Sequence, residues 1–338
     1  MSRQLLAVVT GLVLLTLAPK PTVSQDAQDA RGTWTLPQTP WEEPDLSGIW
    51  DFRTITSLER PDELAGKEVL TDDEAAEYER TRVAALDKDR RPSDGDGDGD
   101  GDGISAAQDV RNAYNQFWWD YGTKLTEDKR TSLIVDPPDG KIPLLTPPAR
   151  KRTDARREAR RRPPHGPEDR NLWERCILAG NAGPPMNPGA YNNNVQLFQT
   201  PGYVVLLNEM IHDARIVPMD GRPHLPQNIR QWKGDSRGRW EGDTLVVDTA
   251  NFTGKTSFRG SGAGMHLVER FTRVDADTLL YEYTIDDSES FETTWSAAIP
   301  MTQTEGPMFE YACHEGNYAM VNLLAGGRAQ EAEKSNDE

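Results

Sequence analysis

The sequence predicts a mainly β protein, an antiparallel up-and-down barrel with helical segments packed outside it. From about residue 194 onwards, short apolar runs alternate with turn segments such as "TPG", "DGRP" and "GDSRG", and no helical pattern intervenes. Consecutive short strands with tight turns form antiparallel meanders, and a meander removes its free edges by closing into a barrel. No repeat of fixed period, as a propeller would require, is present.

The N-terminus has the pattern of a secretory signal peptide over residues 1–25. One arginine precedes an apolar run at residues 5–18, and a proline-containing exit follows. Such a run is short for a bilayer span and is typical of the apolar region of a signal peptide. We therefore expect a cleaved leader, a secreted or periplasmic protein and one mature domain over residues 26–338. An uncleaved membrane anchor is the alternative, and no later segment is apolar enough to span.

Charge and cysteine content narrow the class of protein further. The formal net charge is -17 and the pI is about 4.8, which argues against a nucleic-acid partner because phosphate binding needs a clustered positive field. The only two cysteines, Cys176 and Cys313, are predicted to form one disulfide across a long loop. Two buried free thiols are the alternative. No feature of the sequence specifies an oligomeric state.

A helical insertion is predicted at about residues 71–170. Thr71 followed by acidic residues opens the first helix, "TDDEAAEYERTRVAAL". An Asp-Gly run at residues 94–103 cannot bury apolar area and is predicted to be disordered. Its alternative interpretation is a calcium loop, because Asp98, Asp100, Asp102 and Asp109 imitate part of that spacing.

The rest of this insertion contains three further predicted elements. "SAAQDVRNAYNQFWWDYG" is predicted to be helical, and "TSLIVDPPDGKIPLLT" to be a hairpin. "PPARKRTDARREARRR", after Thr146, is a basic helix or extended arm. We expect it to pair internally with carboxylates, with phosphate or membrane binding as the alternative.

The barrel strands are assigned from apolar alternation. The first is "LSGIWDF" at residues 46–52, and the later candidates are "VQLFQT", "GYVVLLNEMIHDARIVPM", "RQWKGD", "GRWEGDTLVVDTANF", "HLVERFTRV", "TLLYEYTID", "ETTWSAAIPMT" and "MFEYACHE". The second of these later candidates is predicted as one long strand. Its alternation places Glu209, Asp213 and Arg215 on one side and His212 on the other. Both faces are apolar in its first half, so helices should cover the outside.

Ionisable side chains near these strands form the candidate catalytic site. Buried charges persist only when paired or used, which singles out Glu209, Asp213 and Arg215, with Arg215 as an anion binder. The complete candidate set, expected to converge in one cavity, is His212, Glu209, Asp213, Arg215, His224, His266, His314 and Glu315. Asp248 and Thr249 should point to opposite faces of their strand. No metal-ligand spacing is present, although three convergent side chains from separate strands would form a divalent metal site.

These residues support an enzyme that performs acid-base chemistry on a small, partly apolar organic molecule, as a lyase, isomerase or hydrolase. No serine-hydrolase elbow, P-loop or dinucleotide fingerprint is present. The alternative is a non-catalytic binding protein whose pocket is lined by aromatic rings. The candidate ligand-binding residues are Trp50, Tyr191, Asn193, Tyr281, Tyr283 and Phe309. A structural protein with a filled barrel is a third interpretation.

Two resemblances accompany this interpretation. The start "LSGIWDF", with Gly48 and Trp50, is similar to the Gly-x-Trp start of lipocalin-like barrels, in which a first-strand tryptophan packs across one end. The motifs "TPGYVV", "EMIHDAR", "GDSRGRWEGDTLVVDT" and "FEYACHEGNY" resemble a family of uncharacterised secreted bacterial proteins over about the last two thirds of the chain. That family implies no particular activity, so the functional hypothesis rests on the residues.

Overall fold

The computed structural model describes residues 34–87 and 116–337. Leu36–Glu338 forms one compact unit. The predicted signal peptide at residues 1–25 and the Asp-Gly run at residues 94–103, with its calcium-like spacing, lie outside the described residues. So does most of the predicted helix that follows the run.

Ten strands build one antiparallel sheet. They are β1 Gly48–Asp51, β2 Ile134–Asp136, β3 Asn194–Thr200, β4 Tyr203–Asn208, β5 Asp213–Pro218, β6 Asp235–Glu241, β7 Thr244–Ala250, β8 His266–Arg273, β9 Thr278–Asp286 and β10 Trp295–Thr304. Nine follow the order β5-β4-β3-β1-β10-β9-β8-β7-β6, and β2 pairs with the first residues of β10. Apart from the place of β2, each strand lies beside its neighbours in the chain. The predicted antiparallel up-and-down barrel is confirmed.

The barrel is not fully closed by hydrogen bonds. Strands β5 and β6 lie side by side, but no ladder of backbone hydrogen bonds joins them among the described residues. The segment between them, residues 219–234, has one isolated bridge, from Gln231 to Phe252. We call the gap between β5 and β6 the seam. It matters for function because an unpaired strand boundary leaves room for side chains and ligands between the two backbones.

The long strand predicted across residues 202–219 is wrong, because the chain reverses in its middle. Asn208 at the end of β4 pairs with Asp213 at the start of β5, which makes the two strands a hairpin. Ile211 and His212 have positive φ angles, 66° and 51°, and these make the reversal possible. The prediction missed this turn because a β-branched residue rarely adopts such a conformation and no Gly, Pro or Asn-Gly signal marks it.

Large side chains fill the inside of the barrel. Trp50, Tyr281, Tyr283, Phe271 and Trp295 are almost completely buried. The rings of Phe271 and Tyr281 are 4.9 Å apart, and those of Tyr283 and Trp295 are 5.9 Å apart. The interior is thus a packed core, and the ligand cavity that the sequence predicts is not found there. Large rings at facing positions of neighbouring strands use up the volume that a lipocalin-like pocket would need.

The described part of the chain has three α-helices, which lie outside the barrel: α1 Asp72–Leu86, α2 Pro147–Arg161 and α3 Ala319–Asp337. Helix α1 begins with the predicted cap, since Glu74 N donates to Thr71 Oγ1 at 3.4 Å and Thr71 N donates to Glu74 Oε2 at 2.9 Å. Helix α2 begins at Thr146, which also donates from Oγ1 to Glu289 O, before β10. Among the described residues, no helix has the length and apolarity needed to cross a membrane.

Three further local predictions differ from the structure. The arms of the predicted hairpin at residues 131–146 do not pair with each other; β2 pairs with β10 instead, and Leu145 bridges to Phe291. "RQWKGD" lies mainly in the segment before β6, and "MFEYACHE" forms no strand. The last segment is held by the Cys176–Cys313 disulfide, which confirms the predicted cysteine pair.

Candidate functional site

A cleft of about 700 Å³ opens at the seam between β5 and β6. We call it the seam cleft. Strand β5 contributes Arg215 and Ile216, strand β6 contributes Asp235, and the segment before β6 contributes Trp232 and Lys233. The cations in its lining are Arg215, Arg222, Arg230, Lys233 and Arg237, and Asp235 is the one carboxylate in the lining. Four of these cations pair with carboxylates, and among the described residues Arg230 has no such partner. The cleft is therefore a polar site with apolar walls.

Lys233 is the most unusual group in the seam cleft. Its ammonium Nζ lies 2.5 Å from Asp213 Oδ2, and only 14% of the side chain is exposed. Burial lowers the pKa of Lys233 below its ordinary value, and the charge of Arg215 lowers it further, while Asp213 opposes the shift without reversing it. A buried lysine with a lowered pKa in a cleft is a candidate proton acceptor.

The backbone next to Lys233 explains why this side chain faces the seam. Gly234 has a φ of +70°, and a Cβ at this position would lie 2.7 Å from Ala250 O. Glycine thus allows the chain to turn closely against the end of β7. Beside it, Thr256 Oγ1 donates to Trp232 O at 2.8 Å, and the Arg175 guanidinium lies 6.0 Å from the Trp232 ring. These contacts fix Trp232 and Lys233 at the mouth of the cleft.

Arg215 connects the seam cleft to the barrel interior. Its guanidinium pairs with Glu269 of β8, with Nη2 donating to Oε1 at 2.9 Å, and Glu269 is completely buried. Tyr281 OH donates to the same Oε1 at 2.8 Å and accepts from Met186 N at 3.0 Å. Although burial alone would lower the pKa of Arg215, Glu269 raises it. Arg215 is therefore a fixed positive charge at the inner end of the cleft.

A cluster of two histidines and two aspartates borders the cleft. We call it the His-Asp cluster, and it consists of His224, Asp235, Asp248 and His266. His224 Nδ1 is 3.1 Å from Asp235 Oδ2, and His224 Nε2 is 2.9 Å from Asp248 Oδ1. His266 Nε2 is 3.0 Å from both oxygens of Asp248. Asp248 on β7 thus holds two imidazoles, one from the segment before β6 and one from β8.

The shared carboxylate shifts the titration of its neighbours. The hydrogen bond to Asp248 raises the pKa of His266 above its ordinary value, although burial opposes this. Hydrogen bonding to His266, and then to His224, lowers the pKa of Asp248. Burial raises the pKa of Asp235, but the Leu225 N-H, Arg237 and His224 lower it overall. All three shifts favour charged pairs in the cluster.

The structure brings four of the sequence-predicted residues to this region. Arg215 lines the seam cleft, Asp213 pairs with Lys233 of its lining, and His224 and His266 belong to the His-Asp cluster. Sequence reasoning missed Lys233 as a functional candidate because it assigned this segment to a strand. The available signal was a lysine between a tryptophan and a glycine in a turn-rich segment.

The other four predicted catalytic residues lie elsewhere, so the expected convergence in one cavity is not found. Glu209 is buried in the β4–β5 turn, where it accepts from Asn194 Nδ2 at 2.7 Å and from Phe309 N at 3.2 Å. His212 is exposed at the end of the same turn. His314 and Glu315 directly follow the disulfide residue Cys313, away from the strands. The turn, which was not predicted, separates Glu209 and His212 from Arg215.

The predicted ligand-binding residues also divide into separate groups. Trp50, Tyr281 and Tyr283 pack in the filled interior, and Phe309 is exposed on a loop. Asn193 stabilises loop backbone by donating to Asp120 O and Gly189 O at 3.0 and 3.1 Å. The Tyr191 ring lies 6.2 Å from that of Tyr311, outside the barrel. They do not form one pocket.

No group of three or more His, Cys, Asp or Glu side chains within residues 34–87 and 116–337 has an arrangement that would hold a metal ion. In the His-Asp cluster, both ring nitrogens of His224 already face carboxylates, and neither is directed at an open coordination position. In comparisons with known proteins, no family model and no curated protein matches the chain.

Proposed function

We propose that the protein is an enzyme that performs acid-base chemistry on a small, partly apolar organic anion bound in the seam cleft. One observation carries this proposal: Lys233 is buried at the seam between Asp213 and Arg215, in a cleft large enough for a small molecule. The proposed site thus lies at the unpaired edge of the barrel and not in its filled interior.

The chemistry assigned to Lys233 is proton abstraction from the substrate. A lysine whose pKa is lowered by burial carries a larger share of neutral amine near neutral pH, and the neutral amine accepts a proton. Asp213 then stabilises the resulting ammonium at 2.5 Å. Return of the proton to another atom of the substrate gives an isomerase, and loss of a leaving group gives a lyase.

Binding of the anionic group is assigned to Arg230, because both Nη atoms of Arg215 already donate to Glu269. Arg230 Nη1 donates to the carbonyl oxygens of Phe252 and Ala263 at 3.1 and 2.5 Å, and no carboxylate within the described ranges pairs with it. These two hydrogen bonds fix the orientation of the Arg230 guanidinium, and its remaining N–H groups can donate to a ligand oxygen. Ile216, 63% exposed, and Trp232 supply the apolar wall for the rest of the molecule.

The His-Asp cluster has a positioning role in this proposal. Asp235 lines the cleft and accepts from Leu225 N at 2.8 Å, while His224 ties the same segment to Asp248. The cluster thereby anchors the segment at residues 219–234, which carries Trp232 and Lys233. We assign it no direct contact with the substrate.

The proposal is tested by solvent exchange of substrate protons. A panel of small organic acids, together with any molecule retained on purification and identified by mass spectrometry, is screened for binding by calorimetry. Bound molecules are then incubated with the protein in D2O and followed by proton NMR. We expect exchange at an activated carbon, slowed in Lys233→Met by roughly 10²-fold to 10⁴-fold, the usual contribution of a general base. Lys124→Met, at a lysine that is 77% exposed and lines neither proposed site, is the matched control.

A non-catalytic binding protein is the second candidate function, and the exposed apolar side chain of Ile216 at the cleft favours it. The same experiment separates the two. Binding without exchange in the wild-type protein selects the carrier. Exchange that is equally fast in Lys233→Met contradicts the role of Lys233, and absence of binding by every acid contradicts the seam cleft as the site.

Secretion is part of the proposal. The Cys176–Cys313 disulfide supports it, because stable disulfides form mainly in oxidising compartments. The proposed relationship to the secreted bacterial family is based on the sequence motifs. The proposed relationship to lipocalins is based on Gly48 and Trp50. Trp50 Nε1 donates to Leu46 O at 2.9 Å, and the ring is buried at the first strand.

A further inference from the structure

Helix α2 carries a row of three arginines that have no acidic partner. Its fifteen residues include seven cations and two acids. The acids pair with cations one turn further on, Asp154 with Arg157 at 3.0 Å and Glu158 with Arg161 at 3.7 Å. The row Arg152, Arg156 and Arg160 has a spacing of four residues, so these side chains lie along one face of the helix.

The contacts of this row leave its charge uncompensated. Arg152 Nη2 donates to Ser290 Oγ at 2.8 Å, and Arg156 Nη2 donates to Gly254 O at 2.7 Å, both of which are neutral acceptors. Within residues 34–87 and 116–337, no carboxylate forms an ion pair with any of the three. Burial lowers the pKa of Arg156, and the charges of Arg152 and Arg160 lower it further. Like charges at this spacing destabilise a helix, so the three arginines do not serve to stabilise α2. Their presence on one face suggests a role in binding.

The row borders a second cleft, of about 550 Å³, which we call the α2 cleft. Arg156 and Arg160 lie on one side, Lys255 comes from the loop after β7, and Trp173, Leu172 and Phe258 supply apolar surface. Lys255 also has no carboxylate within ion-pair distance in the described part of the chain. The lining also contains two carboxylates, Glu168 and Asp169. Its remaining cations have acidic partners: Arg170 pairs with Glu174 at 2.6 Å, and Arg175 lies 3.8 Å from Glu168.

We propose that the α2 cleft binds a phosphate or sulfate group carried on a small molecule with an apolar body. A tetrahedral oxyanion offers three or more acceptor oxygens, which match the two guanidinium groups and the one ammonium that line this cleft from two elements. The exposed face of Trp173 gives the apolar body a surface to pack against. The protein has a net charge of -17, so an anion is repelled by most of its surface. Arg156, Arg160 and Lys255 create a local positive potential that would attract an anion to this cleft.

The test is calorimetric titration of the purified full chain with phenyl phosphate, inorganic phosphate and benzoate at low salt. We expect one saturable site for phenyl phosphate, weaker binding of inorganic phosphate, and the weakest binding for benzoate, which lacks the third oxygen. Arg156→Gln should weaken phenyl phosphate binding about tenfold to a hundredfold, the usual effect of losing a charge-assisted contact. Arg157→Gln, the matched control on the same helix, removes a cation that is paired with Asp154 and should change affinity less than twofold.

Thermal melting confirms that each variant is folded, and Lys255→Gln provides a second loss-of-binding variant outside the helix. Equal losses in Arg156→Gln and Arg157→Gln would show general attraction to a basic helix and overturn the proposal. So would the absence of saturable phosphate binding. Binding to phosphatidylglycerol vesicles without binding of phenyl phosphate would assign the arginine row to a membrane surface instead. Losses of affinity in Arg156→Gln and Lys255→Gln assign the binding to the α2 cleft, because neither residue lines the seam cleft.

Discussion

At the scale of single residues, the direction in which the Asp248 side chain points follows from strand alternation, whereas its contacts with two histidines depend on the fold. Its neighbour Thr249 is completely buried and its hydroxyl lies 2.9 Å from Ser236 Oγ, while Asp248 points to the outside of the barrel. The opposite orientation of these two residues is the one that their strand periodicity predicts. The two histidines that meet at Asp248 come from separate elements, so the cluster itself follows only from the fold.

The pKa shifts of His266 and Asp248 predict how the free energy of unfolding depends on pH. Because the pKa of His266 is raised in the folded protein, protonated His266 stabilises the fold fully below pH 6.5, the ordinary pKa of the group. This stabilisation is lost as the pH rises through the raised pKa. Because the pKa of Asp248 is lowered in the folded protein, ionised Asp248 stabilises the fold fully above pH 3.8, the ordinary pKa of the group. This stabilisation is lost as the pH falls through the lowered pKa. Both contributions are therefore present together between the two ordinary values.

Asp248→Asn should accordingly reduce the free energy of unfolding most between pH 3.8 and pH 6.5, and less at higher pH as His266 loses its proton. Urea denaturation across this range measures the difference from the wild-type protein. Asp243→Asn is the matched control, because Asp243 is exposed in the turn that precedes the same strand. A loss that does not vary with pH would contradict the ion-pair interpretation.

At the scale of elements, the Arg215–Glu269 pair joins β5 to β8 across the interior. Strand β5 is at one end of the sheet order, and β8 is the third strand from the other end, after β6 and β7. Since no backbone ladder joins β5 to β6, a buried pair with a completely buried carboxylate helps to hold the first half of the barrel to the second. Tyr281 OH donates to Glu269 and accepts from Met186 N, which extends the connection to β9 and to the loop before β3.

Glu269→Leu should lower the free energy of unfolding by about 3–5 kcal/mol, because it leaves the Arg215 charge buried without a partner. The double variant Arg215→Met with Glu269→Leu should recover most of that loss, since two apolar side chains replace the pair. Urea denaturation followed by tryptophan fluorescence measures both. Breaking a partly exposed pair with Glu241→Gln should cost less than about 1 kcal/mol. A similar cost in all three variants would contradict this account.

At the scale of the whole molecule, the disulfide connects the segment before the barrel strands to the segment after them. Cys176 and Cys313 are 137 residues apart, and every strand from β3 to β10 lies between them. The chain-entropy relation for a loop of this length gives a stabilisation of roughly 5 kcal/mol. Most of the sheet is therefore enclosed by one covalent loop.

Reduction should lower the urea midpoint of the wild-type protein markedly, because the unfolded chain regains the freedom that the loop removed. The measurement is urea denaturation with and without reductant. The double variant Cys176→Ser with Cys313→Ser should unfold at the lower midpoint under both conditions. If reduction leaves the wild-type midpoint unchanged, the loop does not constrain the unfolded state of the barrel.

The sequence by itself determined the properties that are encoded over short distances. Alternating apolar runs between turn segments predicted the antiparallel barrel, and Thr71 with Glu74 predicted the start of α1. The disulfide was predictable for another reason, since a chain with two cysteines allows one pairing, however far apart they are. Strand period, turn chemistry and helix caps act between residues a few positions apart, so they can be recognised without a structure.

The tertiary structure decided where the proposed chemistry lies. The filling of the interior depends on how the rings of Tyr281, Tyr283 and Trp295 fit together, and alternation alone does not specify their volume. The β4–β5 turn moved Glu209 away from Arg215, and the unpaired β5–β6 boundary created the seam that holds Lys233. Which side chains meet, and which charges stay unpaired, depends on contacts between residues far apart in the chain, and those exist only once the sheet has closed.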